Sequence, residues 1–340
     1  MLNIHMFSSA TKVKGQGVGS AYLELIKLLR TTFPREMEIK INDFQKSDIS
    51  HYHTVDFKFY LSTFTKKRGC KVGYVHFLPE TLEGSLKLPG ISKTIFNKYL
   101  ISFYKRMDQL VVVNPSFIPK LMNYGIPEEK ITYIPNFVAK SDFYPKSAPT
   151  QQYLRKQHGF DPNKFIVLGV GQIQERKGVA DFIELARRMP DVQFVWVGGF
   201  SFGRITDGYA ELKKKVDNPL PNLFFPGIVD REKMNDYYNM ADLFLLPSYN
   251  ELFPMSILEA FSSETPVLVR DLELYHAVIA DYYLAAQDCD DMEVKIRDLQ
   301  EHPEKMQDLQ QKAQAAANYY SEERLAKIWL EYYQSLSKGK

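Results

Sequence analysis

Two stretches of this 340-residue chain combine residue types that bind anions and hydroxyl groups. The first is Gly171-Gln-Ile-Gln-Glu-Arg-Lys-Gly178, which follows a β-branched run and opens a helical pattern. Free N–H groups and the dipole at a helix start attract phosphate. Arg176 and Lys177 add two cations there, suited to a pyrophosphate and to charge growing on a leaving group. The stretch is not the G-x-x-x-x-G-K-[ST] loop, because Val179 stands where Ser or Thr belongs. Nor is it the G-x-G-x-x-G fingerprint, since Gly169-Val-Gly171 lacks the spaced third glycine. By itself it fits a surface turn with two solvated cations equally well.

The second stretch is Pro247-Ser-Tyr-Asn-Glu251-Leu-Phe-Pro-Met-Ser-Ile-Leu-Glu259-Ala. Pro254 suits the first turn of a helix leaving a strand end. Glu259 falls in the second turn of that helix, among Met255, Ile257, Leu258 and Phe261. A carboxylate in so apolar a helix is expected to be paired or to face a ligand, because burying it alone is costly. Carboxylates are also good acceptors for sugar or ribose hydroxyls. The plainer alternative makes Glu251 a helix cap and leaves Glu259 solvated.

Weaker candidates surround these two. His51 and His53 alternate along Ser50-His-Tyr-His-Thr54 and so share a face. They suit either a strand-end structural role or an acceptor site, and no Glu completes an H-E-x-x-H zinc pattern. Asp288 and Asp290 form a lone D-x-D, expected to be a solvated loop pair. Cys70 and Cys289 lie far apart, near no metal-ligand pattern, so neither a disulfide framework nor a zinc site is expected.

The elements that must position these residues alternate strand and helix. In the first half, strands are predicted at Leu2–Phe7, 38–41, 72–76 and 109–113, with a glycine loop (Gly15, Gly17, Gly19) and a helix over 21–30 after the first. The segment 139–151 lacks periodicity and is predicted to link the halves. Strands at 165–169, 193–197, 223–225, 243–246 and 266–269 then alternate with helices at 177–189, 231–240 and 255–262. Buried runs such as FIVLGV and VQFVWVG argue for parallel sheets covered on both faces. The expected class is α/β, with domains over 1–145 and 146–315 and a C-terminal helix over 316–340 returning to the first. Ligands in such folds bind at the carboxyl ends of strands.

A hydrophobic content of 45% with 25% charged residues excludes disorder and fibrous classes. No apolar run reaches the roughly 18 residues of a membrane span. The start Met1-Leu-Asn-Ile-His has no basic n-region or long apolar stretch, so a cytoplasmic protein is expected. The net charge of +2 is lopsided: residues 1–150 hold 21 Lys and Arg against 12 Asp and Glu. A basic half suits an anionic partner. Between Gly84 and Asp108, Lys87, Lys93, Lys98, Lys105 and Arg106 interleave with Ile91, Ile95, Phe96, Tyr99, Leu100 and Phe103 at helical spacing. That pattern predicts attachment to an anionic membrane surface, widened by Lys66-Lys-Arg68. A core helix with snorkelling lysines is the alternative. No RNA-binding signature accompanies it, so nucleic acid is not an expected partner.

The spacing E-x7-E from Glu251 to Glu259, with G-Q-x3-R-K-G upstream, resembles the retaining family-4 glycosyltransferases of the GT-B fold, in which two Rossmann-like domains face across a cleft. The glycine loop, His76 in Tyr-Val-His76, Ile134-Pro-Asn136, Val197-Gly-Gly199, Phe225-Pro-Gly-Ile-Val229 and Ala241-Asp-Leu-Phe-Leu-Leu-Pro-Ser248 match that family in order, over nearly the whole chain. The resemblance implies that Glu251 holds donor-sugar hydroxyls and Glu259 the ribose. It assigns the diphosphate to Arg176 and Lys177, helped by the loop containing Gly17. The backbone around Ile228 and Val229 would frame the nucleotide base, Gly199 would join the donor site, amides near Phe253 and Pro254 would touch sugar or phosphate, and His76 would lie beside the transferred sugar. Gln172 stands where the family often has a phosphate-binding Arg, and Glu264 replaces a usual glycine.

Within that family the chain most resembles Gram-positive α-galactosyl-glucosyl-diacylglycerol synthases. This implies transfer of galactose from UDP-galactose, with retention, onto glucosyl-diacylglycerol at the inner membrane face, needing neither metal nor cofactor. The alternatives are a UDP-glucose-dependent diglucosyl-diacylglycerol synthase, a soluble capsule or wall polysaccharide transferase, and a degenerate non-catalytic GT-B partner protein.

Overall fold

The computed structural model describes residues 1–10, 17–82, 90–201, 203, 208–251 and 253–338. They form two compact units that divide between Phe137 and Val138. The first carries six parallel strands: β1 (Leu2–Phe7), β2 (Met37–Ile41), β3 (Ile49–Tyr52), β4 (Cys70–Val75), β5 (Gln109–Val112) and β6 (Ile131–Tyr133). Their order is β2-β1-β3-β4-β5-β6, with helices α1 (Gly17–Thr32), α2 (Phe57–Ser62), α3 (Gly90–Lys105) and α4 (Phe117–Asn123) in the crossovers. Chain direction reverses across the sheet between β1 and β3. Ligands of doubly wound sheets bind beyond the carboxyl ends of the strands at such a point. Gly17 and Gly19, expected in a loop before a helix at 21, lie in the first turn of α1, while Gly15 lies outside the described residues; His53 follows β3 and His76 follows β4.

The second unit opens with α5 (Ala148–Gln157), which takes up the end of the segment predicted to be irregular. A proline in its first turn, where an N–H has no helical partner anyway, lets the helix start there. It continues through β7 (Ile166–Val170), α6 (Val179–Arg188), β8 (Gln193–Val197), α7 (Tyr209–Asp217), β9 (Leu223–Gly227), α8 (Arg231–Met240) and β10 (Leu243–Leu246). The remainder is α9 (Met255–Ser262), β11 (Val267–Arg270), α10 (Glu273–His276), β12 (Leu284–Ala286), α11 (Cys289–Glu301) and α12 (Pro303–Tyr319). Strand order β12-β11-β10-β7-β8-β9 is the Rossmann order, with its switch point between β7 and β10. Val167, Phe194, Trp196, Leu243, Leu245 and Leu268 are fully buried in one core with Phe182 and Leu185 of α6. The closing helix α13 (Glu322–Lys338) belongs to the first unit.

Glu264 has a physical account at the end of α9. Its φ is +55°, left-handed, where glycine is the least strained residue. Its N–H donates to Phe261 O at 2.9 Å and the N–H of Thr265 to Ala260 O at 2.9 Å, which is a Schellman stop. The Glu264 side chain recovers part of the strain by accepting from Gln314 Nε2 at 3.0 Å.

Candidate active site

In the second unit the two sequence stretches meet at the switch point, after β7 and after β10. The loop from Gly171 makes a 3-10 turn over Glu175–Lys177, so α6 starts at Val179 and not at 177. Gly178 joins the turn to the helix with φ +69°, and a Cβ there would come within 2.1 Å of Pro247 O. That position requires glycine, and its closeness presses the two loops together. Tyr249 N donates to Arg176 O at 2.8 Å, and Arg176 Nη1 to Asn250 O at 3.1 Å.

These contacts bring Arg176, Lys177 and Glu251 together. Lys177 Nζ pairs directly with Glu251 Oε1, while Arg176 Nη1 lies 3.9 Å from Oε2. Burial pushes the Glu251 carboxyl up, but Lys177 and then Arg176 outweigh it and hold it below the usual carboxylate range. Burial pushes the Lys177 ammonium down, opposed by Glu251. The alternative of Glu251 as a helix cap is corrected, because the cap position of α9 belongs to Pro254, one residue before the predicted first turn. Glu259 is likewise not solvated: it is buried and accepts from Arg231 Nη1 at 2.9 Å and from Tyr238 Oη at 2.7 Å. Gln172, Phe253 and Pro254 are buried nearby in sequence, whereas Ile228 is exposed and Val229 half-buried. Gly199 abuts Ile228, and a Cβ there would lie 2.9 Å from its Cγ1.

Two residues went unnoticed in the sequence. The Gln174 amide is 1% exposed, and neither its oxygen nor its nitrogen has a partner among the described residues. The Tyr275 hydroxyl is also buried and unpartnered there, and burial with the Glu251 charge pushes it well above its usual range. Buried polar atoms are normally bonded, so the Tyr275 hydroxyl near the Glu251 carboxylate and the Gln174 amide in the loop of Lys177 suit a polyhydroxy ligand. No spacing rule marks either residue. Asp288 and Asp290 are exposed, as expected, but they do not sit in a loop: Asp288 caps α11 by accepting from Asp291 N at 2.9 Å, and Asp290, in the first turn of that helix, pairs with Arg188 at 2.5 Å. Among the described residues, no group of three or more His, Cys, Asp or Glu could hold a metal ion.

In the first unit, Gly17 opens α1 and His76 is buried just past β4. Burial pushes the His76 imidazole down to about 3, so it is neutral at physiological pH. The predicted basic surface is partly corrected. Phe103 is buried in the core and unavailable to lipid. Arg106 is held inward, donating to Thr63 Oγ1 at 2.6 Å and Thr63 O at 3.0 Å while lying 3.5 Å from the Phe64 ring centre. Arg68 is buried, so it widens no patch. Lys98 and Lys105 are exposed and Phe96 is half-buried. Lys87 and the Lys93 side chain lie outside the described residues. Ile95 of α3 is 64% exposed, and Lys66 and Lys67 are exposed as expected; what the sequence reading missed is α2 and its flank, where Phe57, Leu61 and Phe64 are 54% to 66% exposed beside exposed Lys58. The 57/61/64 spacing of apolar residues was the available signal. No helix among the described residues is long and apolar enough to cross a membrane.

Two family models match the chain, Glycosyltransferase Family 4 over residues 15–141 and Glycosyl transferases group 1 over 150–316. An alpha-galactosylglucosyldiacylglycerol synthase from Streptococcus pneumoniae is 51% identical over 334 residues, 98% of this chain and 89% of the relative. The chain belongs to the family-4 glycosyltransferases. A processive diacylglycerol alpha-glucosyltransferase from Acholeplasma laidlawii is 28% identical over 272 residues, covering 78% of this chain and 77% of the relative. HepE from Anabaena, crystallised with UDP and glucose, aligns with TM-score 0.80 at 16% identity, over 98% of this glycosyltransferase and 100% of that chain. Sucrose-phosphate synthase from Thermosynechococcus elongatus aligns with TM-score 0.80 at 15% identity over 100% of both chains. These likenesses establish the glycosyltransferase fold as GT-B, with two Rossmann-like halves.

Proposed function

We propose that this glycosyltransferase moves galactose from UDP-galactose onto glucosyl-diacylglycerol at an anionic membrane surface, with retention at the anomeric carbon. The observation that carries the donor half is the buried Glu251 carboxylate beside Lys177 and Arg176 at the switch point of the second sheet. The acceptor half rests on the 51% identity to a synthase named for the galactosyl-glucosyl lipid. In this reading the diphosphate takes over the two cations as counter-ions, and Glu251 turns to the hydroxyls of the sugar. Glu259 takes the ribose, while the backbone around Gly199, Ile228 and Val229 frames the base. The backbone at Phe253 and Pro254 completes the donor contacts within the second unit.

The bond from the anomeric carbon to the β-phosphate oxygen breaks as the acceptor hydroxyl oxygen bonds to the same face. The hydroxyl proton passes to the departing phosphate. Arg176 and Lys177 stabilise the charge that develops on that phosphate, in a site whose low dielectric strengthens the interaction. This reading needs no metal, and activity is expected to survive a chelator. His76 lies beside the transferred sugar as a neutral hydrogen-bonding group. The exposed apolar residues of α2 and α3, with Lys58, Lys66, Lys67 and Lys98, rest on anionic lipid, each cation contributing on the order of 1 kcal/mol.

The test offers UDP-galactose or UDP-glucose with glucosyl-diacylglycerol in anionic vesicles and reads the anomeric configuration of the lipid product by NMR. An α-galactosyl product supports the reading. An α-glucosyl product, which the diacylglycerol alpha-glucosyltransferase relative favours, corrects the sugar. A β-linked product removes retention, and transfer to soluble acceptors alone removes the lipid.

A further inference from the structure

The first unit buries three imidazoles around two strand ends. His51 is on β3, His53 follows it and His76 follows β4, and none is more than 4% exposed. Ring centres of His51 and His53 are 4.2 Å apart, those of His53 and His76 5.7 Å. Tyr22 of α1, Tyr74 of β4 and Trp329 and Tyr333 of α13 enclose them. Burial holds all three rings neutral, with His51 and His76 pushed down to about 3 and His53 also far below its ordinary range. A neutral imidazole carries one N–H and one bare nitrogen, and hydrogen bonding selects between them.

Two bonds make that selection. His51 Nδ1 lies 2.7 Å from Tyr333 Oη, and His53 Nδ1 lies 3.5 Å from His76 Nε2, a long contact that substrate binding can tighten. The Nε2 atoms of His51 and His53 are buried with no partner among the described residues. A buried N–H without an acceptor is the costlier orphan, so the His53 proton belongs on the nitrogen that has an imidazole partner. On His53 that is Nδ1, which donates to His76 Nε2. His76 then accepts at Nε2 and must carry its own proton on Nδ1.

We infer that His53 is a positioning residue that fixes His76 as the Nδ1–H tautomer, so that His76 offers the substrate a hydrogen-bond donor and not a base. His51, hydrogen-bonded through Nδ1 to Tyr333 Oη, packs its ring against His53 and holds it in place. The C-terminal helix thus takes part in ordering a residue assigned to the reaction. The inference rests on the reading that places His76 beside the transferred sugar, but the tautomer is measurable without it.

Long-range proton–nitrogen correlation on full-length protein with 15N-labelled histidine reads the tautomers directly. The expected result is His76 protonated at Nδ1. His53→Phe removes the donor, and His76 should become a mixture of tautomers. Turnover should fall about tenfold or more, below the 10²–10³ cost of deleting a donor outright, with the KM for the sugar nucleotide unchanged. His53→Asn, which keeps an N–H near the position of Nδ1, should restore both readouts and serves if the Phe variant does not fold. A proton on Nε2 of His76 in the wild type, or a tautomer indifferent to His53→Phe, overturns the inference. If the tautomer follows His53 while turnover does not, the substrate half of the inference falls together with the role given to His76.

Discussion

Replacing Glu251 by Gln keeps its shape and removes one charge from a pair whose side chains are 10% and 6% exposed. Lys177 is then a buried ammonium without a carboxylate. Breaking a buried pair from one side costs about 3–5 kcal/mol, and an amide that still accepts from Nζ places the expected loss near 3 kcal/mol at neutral pH. The loss depends on pH with a definite sign. Burial already depresses Lys177 and Glu251 opposes that, so the variant depresses it further. A lysine whose folded pKa lies below its unfolded value leaves the unfolded chain binding more protons, so the deficit shrinks as pH rises toward the ordinary lysine range. Adding Lys177→Met removes the orphaned charge, and the double variant should recover most of the stability. Urea unfolding followed by the buried Trp196 reports the second unit, provided Trp329→Phe silences the first. A single-variant loss below about 0.5 kcal/mol, the range of surface substitutions, would refute the reasoning. So would a double variant no more stable than Glu251→Gln.

Three other variants test separate parts of the structure. Glu264→Gly relieves the left-handed strain after α9 and should stabilise the protein by about 0.5–1 kcal/mol in thermal unfolding, less whatever the Gln314 bond contributes. Gly178→Ala must place a Cβ against Pro247 O at positive φ, and a loss of about 3 kcal/mol is expected from strain and overpacking together; calorimetry showing less than 1 kcal/mol would contradict the close approach. Phe57→Asp with Lys66→Glu should cut sedimentation with anionic vesicles at least tenfold while leaving UDP affinity unchanged. Residual wild-type binding should weaken with salt.

The alternating rhythm was legible because buried parallel strands are continuous apolar runs, and FIVLGV and VQFVWVG stand out from the helices around them. Gln193–Val197, Arg231–Met240 and Met255–Ser262 have the bounds read from the pattern. The three-residue edge strands β6 and β12 are too short to show a period. At the site, fixed spacing made Arg176, Lys177, Glu251 and Glu259 visible, since each motif is one short contiguous stretch. Phe103 and Arg106 were misplaced because an amphipathic pattern does not say which face of α3 the sheet covers; the core took Phe103, and Thr63 with Phe64 took Arg106. Gln174 and Tyr275 gave no signal at all, because an unpartnered polar atom is a property of packing. The same holds for Asp288, whose capping bond depends on where α11 begins.

The proposed function puts the sugar donor, for transfer to a lipid, on one buried cluster in the second unit. Its most direct test is the initial rate of labelled galactose entering organic-extractable lipid from UDP-galactose, on vesicles containing glucosyl-diacylglycerol, for the wild type and Glu251→Gln. Transfer by the wild type is expected, with a loss of at least about 10² in turnover for the variant and UDP itself still bound. Equal rates, or no lipid product from a wild-type protein that binds UDP, would contradict it.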